Sequence, residues 1–228
     1  MSQFSLAPSE LNIAGQIGDI IGNVKENYYD IFEGALSKYV QFYKEFSDIT
    51  SEMSNFIHSV NDEGQLKYDF NKLYKLLTNL QKKYTPKDVN KPLDKQLLYP
   101  KTIEDIKEVT ITQVEKWAKD MGLPASSIKG DDHNGYYISI DTHPLDNMIK
   151  NLIHNDKNDY QLYNTEYQAW LTSFNAQEDQ IKTTVQSLTG RFGNANAVYD
   201  NMVKVLSSTI SSLAEMYKRF FTFNQPLP

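Results

Sequence analysis

IKTTVQSLTGRFGNANAVYDNMVKVLSSTISSLAEMYKRF, residues 181–220, carries the repeat that decides the fold. Ile181, Val185, Leu188, Phe192, Ala195, Tyr199, Met202, Leu206, Thr209, Leu213, Met216 and Phe220 fall at alternating steps of four and three, and only Thr209 is polar. A heptad repeat of this kind draws one apolar seam along a helix that packs against another helix. Thr165 followed three residues later by Gln168 has capping-box spacing and predicts the start of that helix, just ahead of Trp170. Pro226 and Pro228 lie beyond its end, so the expected helix covers 165–222, with a tail at 223–228. Gly190 and Gly193 are weak helix formers and predict a bend near Phe192.

The other end of the chain answers with its own seam. Ile17, Ile21, Val24, Tyr28, Ile31, Ala35, Tyr39, Phe42, Phe46, Ile49, Met53, Phe56 and Val60 alternate four and three, except that Ile31–Ala35–Tyr39 takes two fours in succession. Such a stutter is expected to relax a supercoil locally. No proline interrupts the run, which predicts a helix over 15–60 about 65 Å long at roughly 1.5 Å per residue, preceded by a flexible segment, 1–14. Two long seams at opposite ends have a simple joint solution. They pair as an antiparallel two-helix coiled coil, with residues 61–164 inserted between them. The expected fold class is mostly α with a small α/β insertion.

Within the insertion, Asn61-Asp62-Glu63-Gly64 is expected to end the first helix. Phe70, Leu73, Tyr74, Leu77, Leu80 and Tyr84 mark a shorter amphipathic helix. The stretch 85–101, with three prolines, reads as an irregular loop. Thr112 and Glu115 predict the cap of a helix through Trp117 that stops at Gly122 and Pro124. Asn134-Gly135 signals a type I′ hairpin, followed by a half-buried strand in which Tyr137, Ser139 and Asp141 alternate with Ile138 and Ile140. Pro144 opens a further short helix with Leu145, Met148, Ile149 and Leu152.

Composition narrows the function. With 23 basic and 29 acidic residues the formal charge is −6, which argues against a nucleic-acid binder and against electrostatic docking on an anionic membrane. No run has the apolar length of a bilayer span, and MSQFSLAPSELN shows no signal-peptide pattern. With no cysteine there are no disulfides, thiolate nucleophiles or cysteine-based zinc sites. His133, His143 and His154, near Asp131, Asp132 and Asp141, lack the same-face spacing of a metal-binding helix. No nucleophile elbow, phosphate loop or dinucleotide turn is present. The expectation is a chain without catalytic residues, metal or cofactor, and not an enzyme.

Two surfaces read as interaction surfaces. Beside the first seam run Tyr29, Phe32, Leu36, Val40 and Tyr43, and beside the last run Val203, Ile210, Ala214, Tyr217 and Phe221. Contiguous apolar surface of this kind calls for a cover. The last helix also crowds Ser207, Ser208, Thr209, Ser211 and Ser212 together, with Asn201 and Lys204 on the same side. A solvated face would favour Glu, Lys, Gln or Arg, since serine costs a few tenths of a kcal/mol per position. The small side chains let another helix approach, and the face reads as a polar docking surface.

FYKEFSDITSEM at 42–53, GYYISIDTHPLDNMI at 135–149 and above all NANAVYDNMVKVLSSTISSL at 194–213 resemble the IpaD/SipD/BipD group, the tip proteins of bacterial type III secretion needles. The resemblance runs from about residue 15 to 220 and implies the same coiled coil with a mixed module inserted. It implies a secreted virulence protein that caps the needle at the bacterial surface as a small oligomer. Such a protein restrains secretion until host contact and helps translocator proteins assemble during invasion. The implied partners are the needle subunit, translocators, other copies of the chain and, for some members, bile salts. Carried onto this sequence, needle contact falls on Asp200, Asn201, Lys204, Ser207, Ser208, Ser211 and Ser212. Family members carry an extra N-terminal helical hairpin, a built-in chaperone for the coiled coil, and residue 15 comes too early in this chain to leave room for it. The expectation is a trimmed chain or a short homologue, with the second apolar stripes being what such a hairpin or the needle covers. A coiled-coil adaptor or chaperone of another secretion or assembly system is the alternative reading.

Overall fold

The structure is a computed structural model that describes residues 8–60, 65–88, 91–152 and 160–223. Its elements run α1 (Pro8–Val24), a π-turn (Lys25–Tyr29), α2 (Asp30–Ser51), β1 (Ile57–Val60), β2 (Gln65–Tyr68), α3 (Phe70–Tyr84), β3 (Leu97–Tyr99), α4 (Ile111–Met121), β4 (Ile128–Asp131), β5 (Gly135–Ser139), α5 (His143–Lys150), β6 (Tyr160–Tyr163) and α6 (Asn164–Phe223). The chain divides into two compact units, one of Glu33–Arg191 and one of the segments up to Phe32 and from Phe192. The mostly helical fold, with long helices at both chain ends and a small α/β insertion between them, is the architecture the seams predict.

In the unit Glu33–Arg191 the seam of α2 buries Ala35, Tyr39, Phe42 and Phe46, and that of α6 buries Phe174, Ile181 and Leu188. Phe46 stacks on Phe174 with ring centroids 6.5 Å apart, while Tyr39 is hydrogen-bonded to Thr184. Later residues of α2 thus meet earlier residues of α6, so the pair is antiparallel. Each of the fully buried Phe, Ile and Leu side chains among them is worth roughly 1.5–3 kcal/mol. In the other unit Tyr29 packs against Phe192 at 5.4 Å and Tyr199 at 5.3 Å.

The break in the first seam is absorbed differently from the expected stutter at Ile31–Ala35–Tyr39. Val24, Tyr28 and Phe32 are spaced four and four, after which Phe32, Ala35, Tyr39, Phe42 and Phe46 keep strict heptad steps. The π-turn takes up the extra residue: the Asp30 N–H donates to the Lys25 carbonyl, and Lys25 Nζ pairs with Asp30 Oδ1 at 2.7 Å. Ile31 and Phe32 are both buried as a result, which removes Phe32 from the exposed stripe. Residues 8–14, expected to be flexible, are already helical, with Pro8 as the first helical residue, where its fixed φ suits the start of a helix.

The first helix stops at Ser51, short of the predicted 60. Met53–Phe56 form a single tight turn, and Ile57–Val60 become β1, pairing antiparallel with β2 through Ile57↔Tyr68 and Val60↔Leu66. Phe56 is the reason the chain turns. It is fully buried at 6.2 Å from the Tyr68 ring, with the Lys72 ammonium 4.7 Å over its face. The β2 strand also pairs with β6, through Gln65↔Tyr163 to Tyr68↔Tyr160. Tyr68, Phe70, Tyr167, Trp170 and Phe174 continue one aromatic cluster from this sheet into α6, Trp170 standing edge-on to Phe70 at 4.9 Å. The turn predicted at Asn61–Gly64 lies outside the described residues.

The second sheet has strand order β3-β5-β4, all antiparallel. Its β3 strand sits in the stretch read as an irregular loop, with Leu97 and Leu98 buried. Lys38 holds this segment to α2, donating to the carbonyls of Asp94 at 2.8 Å and Leu97 at 3.0 Å. The β5 strand is buried on both faces from Tyr137 to Ser139, not half-buried, because it is the central strand. The hairpin before it is not type I′: among the described residues no non-glycine residue has positive φ, and Asp131 pairs directly with Gly135 across a three-residue loop. Asp131 Oδ1 accepts from the N–H groups of His133 and Asn134, both at 2.9 Å, and Gly135 turns the chain at φ +83.

Two caps lie off their predicted positions. The α4 capping box is Thr110 with Gln113, two residues before Thr112 and Glu115, and the helix ends at left-handed Gly122. At α6 the Glu166 carboxylate accepts from the Tyr163 N–H at 3.0 Å, and Gln168 reaches Asn164, not Thr165. In both cases several Thr, Gln and Glu compete within a few residues, and spacing alone does not choose between them. No break in α6 occurs at Gly190 or Gly193.

Candidate docking surface

From Phe192 onward α6 belongs to the smaller unit, and its surface sorts by angle. Asp200, Asn201, Lys204, Ser207, Ser208, Ser211 and Ser212 gather on one side, and all seven are exposed. Met202, Leu206 and Leu213, on the seam side, are half-buried. Two of its four serine hydroxyls turn back along the helix, Ser208 Oγ donating to the Val205 carbonyl at 2.8 Å and Ser211 Oγ to the Ser207 carbonyl at 3.0 Å, and on the seam side Thr209 Oγ1 donates to the Val205 carbonyl at 2.9 Å. Asn196 Nδ2 reaches Asp200 Oδ2 at 3.4 Å.

Two residues missing from the predicted face stand out beside it. Val198 is 60% exposed and Val205 62%, and Met216 is exposed on the same flank. The signal for them was available in the sequence. Val198, Asn201, Val205, Ser208 and Ser212 follow steps of three and four, a second heptad line overlooked beside the stronger seam.

The predicted apolar stripes fare unevenly. On α6 Val203 and Ile210 are half-buried, while the side chains of Tyr217 and Phe221 lie outside the described residues. Tyr29 is half-buried against Phe192 and Tyr199, and Phe32 belongs to the core. In the unit Glu33–Arg191, Leu36 and Tyr43 are half-buried and Val40 is exposed.

The histidines stay apart from one another in role. His133 is exposed at the hairpin tip, where its N–H serves the Asp131 carboxylate. Hydrogen bonds from Asn134, then from the His133 N–H, hold that carboxylate below its usual range. His143 Nδ1 lies 2.9 Å from Oδ1 of the buried Asp141, whose Oδ2 accepts from Ser126. His154 lies outside the described residues. Among the described residues no group of three His, Asp or Glu is placed to hold a metal ion. A cleft of about 220 Å³ at the hairpin is lined by polar residues such as Lys107, Asp131 and Asp132 together with Val109 and Ile111, and the Tyr136 hydroxyl donates to Asp132 at 3.0 Å. No helix among the described residues is long and apolar enough to cross a membrane.

The chain is similar to known proteins along nearly its whole length. It is 36% identical to the cell invasion protein SipD of Salmonella typhi over 96% of this chain, and 34% identical to the invasin IpaD of Shigella flexneri over 94%. The translocator protein BipD of Burkholderia thailandensis is 29% identical over 91% of it. The chain spans 64%, 61% and 58% of the lengths of these relatives. Among solved structures, the pathogenicity island 1 effector protein of Chromobacterium violaceum superposes with a TM-score of 0.73 at 30% identity, covering 92% of this chain and 69% of that one. BipD of Burkholderia pseudomallei, at 22% identity and a TM-score of 0.64 over 91% of this chain and 72% of its own, shares the fold. A family model described as type III secretion systems tip complex components matches residues 1–221. With that match, this chain belongs to the type III secretion tip complex components, a family of structural parts of a secretion apparatus and not of enzymes.

Proposed function

We propose that the chain caps the needle of a type III secretion apparatus at the bacterial surface. There it restrains effector secretion until host contact and supports assembly of the translocator proteins. Its partners in this reading are the needle subunit, the translocators and further copies of itself. Needle contact falls on the exposed face of α6 that carries Asp200, Asn201, Lys204, Ser207, Ser208, Ser211 and Ser212. One observation carries the assignment: these residues share one exposed side of the helix, with short side chains at four of the seven positions. A helix can approach such a side closely at little cost in displaced side chains. The names of the relatives, a cell invasion protein and a translocator protein, support the wider reading.

Electron microscopy of isolated needles mixed with the purified protein tests it. End-on caps with the parent protein, absent with Ser208→Arg plus Ser212→Arg, are expected. Two bulky cations at a central contact should cost ~2–4 kcal/mol, a loss of roughly thirty- to a thousand-fold in affinity. Binding along the needle shaft, or no binding by the parent, would point to an adaptor or chaperone instead.

A further inference from the structure

Asn134-Gly135 is the one place in the chain where an asparagine precedes a glycine. That pair is prone to lose the side-chain amide, because glycine has no Cβ to keep its main-chain nitrogen from the preceding side chain. In the reaction the Gly135 nitrogen, its proton taken by hydroxide, bonds to Cγ of Asn134 as the Cγ–Nδ2 bond breaks. Ammonia leaves with a proton from water, and a five-membered imide remains. Water then opens one of the two ring C–N bonds, leaving aspartate or isoaspartate at 134. One water is consumed and one ammonia released, with no change of oxidation state.

The hairpin holds this amide tightly. Asn134 is exposed at the tip between β4 and β5, and its Nδ2 donates to Asp131 Oδ1 at 3.0 Å and Oδ2 at 3.1 Å. Its main-chain N–H donates to the same Oδ1 at 2.9 Å, as does that of His133. Expelling Nδ2 as ammonia requires both side-chain bonds to be given up. An amide that donates to an anion is also a poorer electrophile at Cγ. Gly135, the attacking residue, is confined as well, for a Cβ there would come within 2.0 Å of the Ile106 carbonyl oxygen. Ring closure therefore waits on local opening of the hairpin.

We propose that Asn134 is a site of spontaneous deamidation, and that the Asp131 carboxylate restrains it. The product cannot restore the clasp. A carboxylate replaces the donor that stood 3.0–3.1 Å from the Asp131 oxygens, and like charges meet where donor and acceptor did. The modification acts as a one-way release of the hairpin tip.

Ageing the purified chain at mildly alkaline pH tests it. Ion-exchange chromatography follows the added negative charge, peptide mass mapping its position, and melting curves the fold of each variant. A charge gain at Asn134 is expected in the parent, accumulating at least about tenfold faster in Asp131→Ala, which loses the charged acceptor of both bonds. Asp131→Asn keeps the size of the side chain and one acceptor oxygen, and should fall between the two. Asp132→Ala is the control, since Asp132 holds the Tyr136 hydroxyl, and its rate should stay within about twofold of the parent. Asn134→Asp, which mimics one product, should melt below the parent. No charge gain at Asn134 in the parent or in Asp131→Ala overturns the site. Equal rates in the parent and both Asp131 variants, or equal acceleration by Asp132→Ala, overturn the restraint. A parent-like melting temperature for Asn134→Asp overturns the release of the tip.

Discussion

Leu188 offers the sharpest test of the helix pairing. It is fully buried on α6, whereas Gln186, two positions earlier, is exposed on the same helix. Truncating a buried leucine to alanine costs about 2–5 kcal/mol in lost transfer energy and residual cavity. Leu188→Asp removes as much apolar volume and adds a carboxylate without a counter-charge, so about 4 kcal/mol is a lower figure. For a chain of this length each kcal/mol lowers Tm by roughly 2–4 °C, which gives a fall of about 8–16 °C. Gln186→Asp should cost under about 1 kcal/mol, as exposed changes do. The assay is thermal unfolding followed by circular dichroism for the parent and both variants. The pH supplies an internal check, because desolvation raises the pKa of the introduced aspartate. A group with a raised folded pKa is better tolerated when protonated, so the Leu188→Asp deficit should shrink toward pH 4 and the Gln186→Asp deficit should not. Equal melting temperatures for the two variants at pH 7 would refute the buried seam.

Two glycines should rank in a stated order. Both have positive φ, which costs an alanine roughly 1–2 kcal/mol, but a Cβ on Gly135 would lie 2.0 Å from the main-chain oxygen of Ile106, while one on Gly122 would meet the movable end of Arg191 at 2.3 Å. Gly135→Ala should therefore destabilise more than Gly122→Ala in urea unfolding, and the reverse order would contradict the packing described at the hairpin. Glu45 tests a polar contact: burial alone would raise its pKa, but hydrogen bonds from Gln41, Lys83 and Tyr84 and the Lys83 charge together lower it. A depressed carboxylate pKa gives stability that is present above the ordinary value of 4.5 and is lost as pH falls through the lower folded value. The stability difference between the parent and Glu45→Gln should accordingly be larger at pH 7 than at pH 3, and a pH-independent difference would dismiss the network.

The seams were legible because burial imposes a period on a long helix, and two of them at opposite chain ends admit few arrangements. What the sequence hid was local competition. Met53, Phe56 and Val60 extend the heptad, so a helix to residue 60 satisfies the pattern as well as a strand does. Only the aromatic cluster around Tyr68 and Trp170, assembled from three distant segments, decides for β1. The β3 strand was hidden for a related reason: Leu97–Tyr99 is too short to show alternation and lies among prolines. Strand pairing depends on partners far away in sequence, and a single strand of three or four residues carries little signal of its own. On the exposed face of α6 the residue types were readable and their hydrogen bonding was not. Serines crowded on one side suggested polarity, yet a serine within a helix can return its proton to the preceding turn. Which way each hydroxyl points is a matter of rotamer, and no spacing rule fixes that.

The contrast along α6 bears on how such a protein works. Within Glu33–Arg191 the seam residues Phe174, Ile181 and Leu188 are closed off from solvent. Beyond Phe192 the same periodicity continues, but Met202, Leu206, Ile210 and Leu213 are only half-buried and Val198, Val205 and Met216 are exposed. Among the described residues, this stretch carries more apolar surface than their packing buries. Evolution toward a free-standing helix would replace those exposed residues with charged ones at no cost to the seam. Exposed apolar residues of this kind fit the proposal that the stretch works against another surface. Binding there would bury what folding leaves open, so the docking half of the helix would be stabilised by its partner, in proportion to the ligand's preference for the ordered state. In the proposed reading, one continuous element would anchor the inserted module along its sealed half and meet a partner along the other. The two tasks need different surfaces but the same backbone.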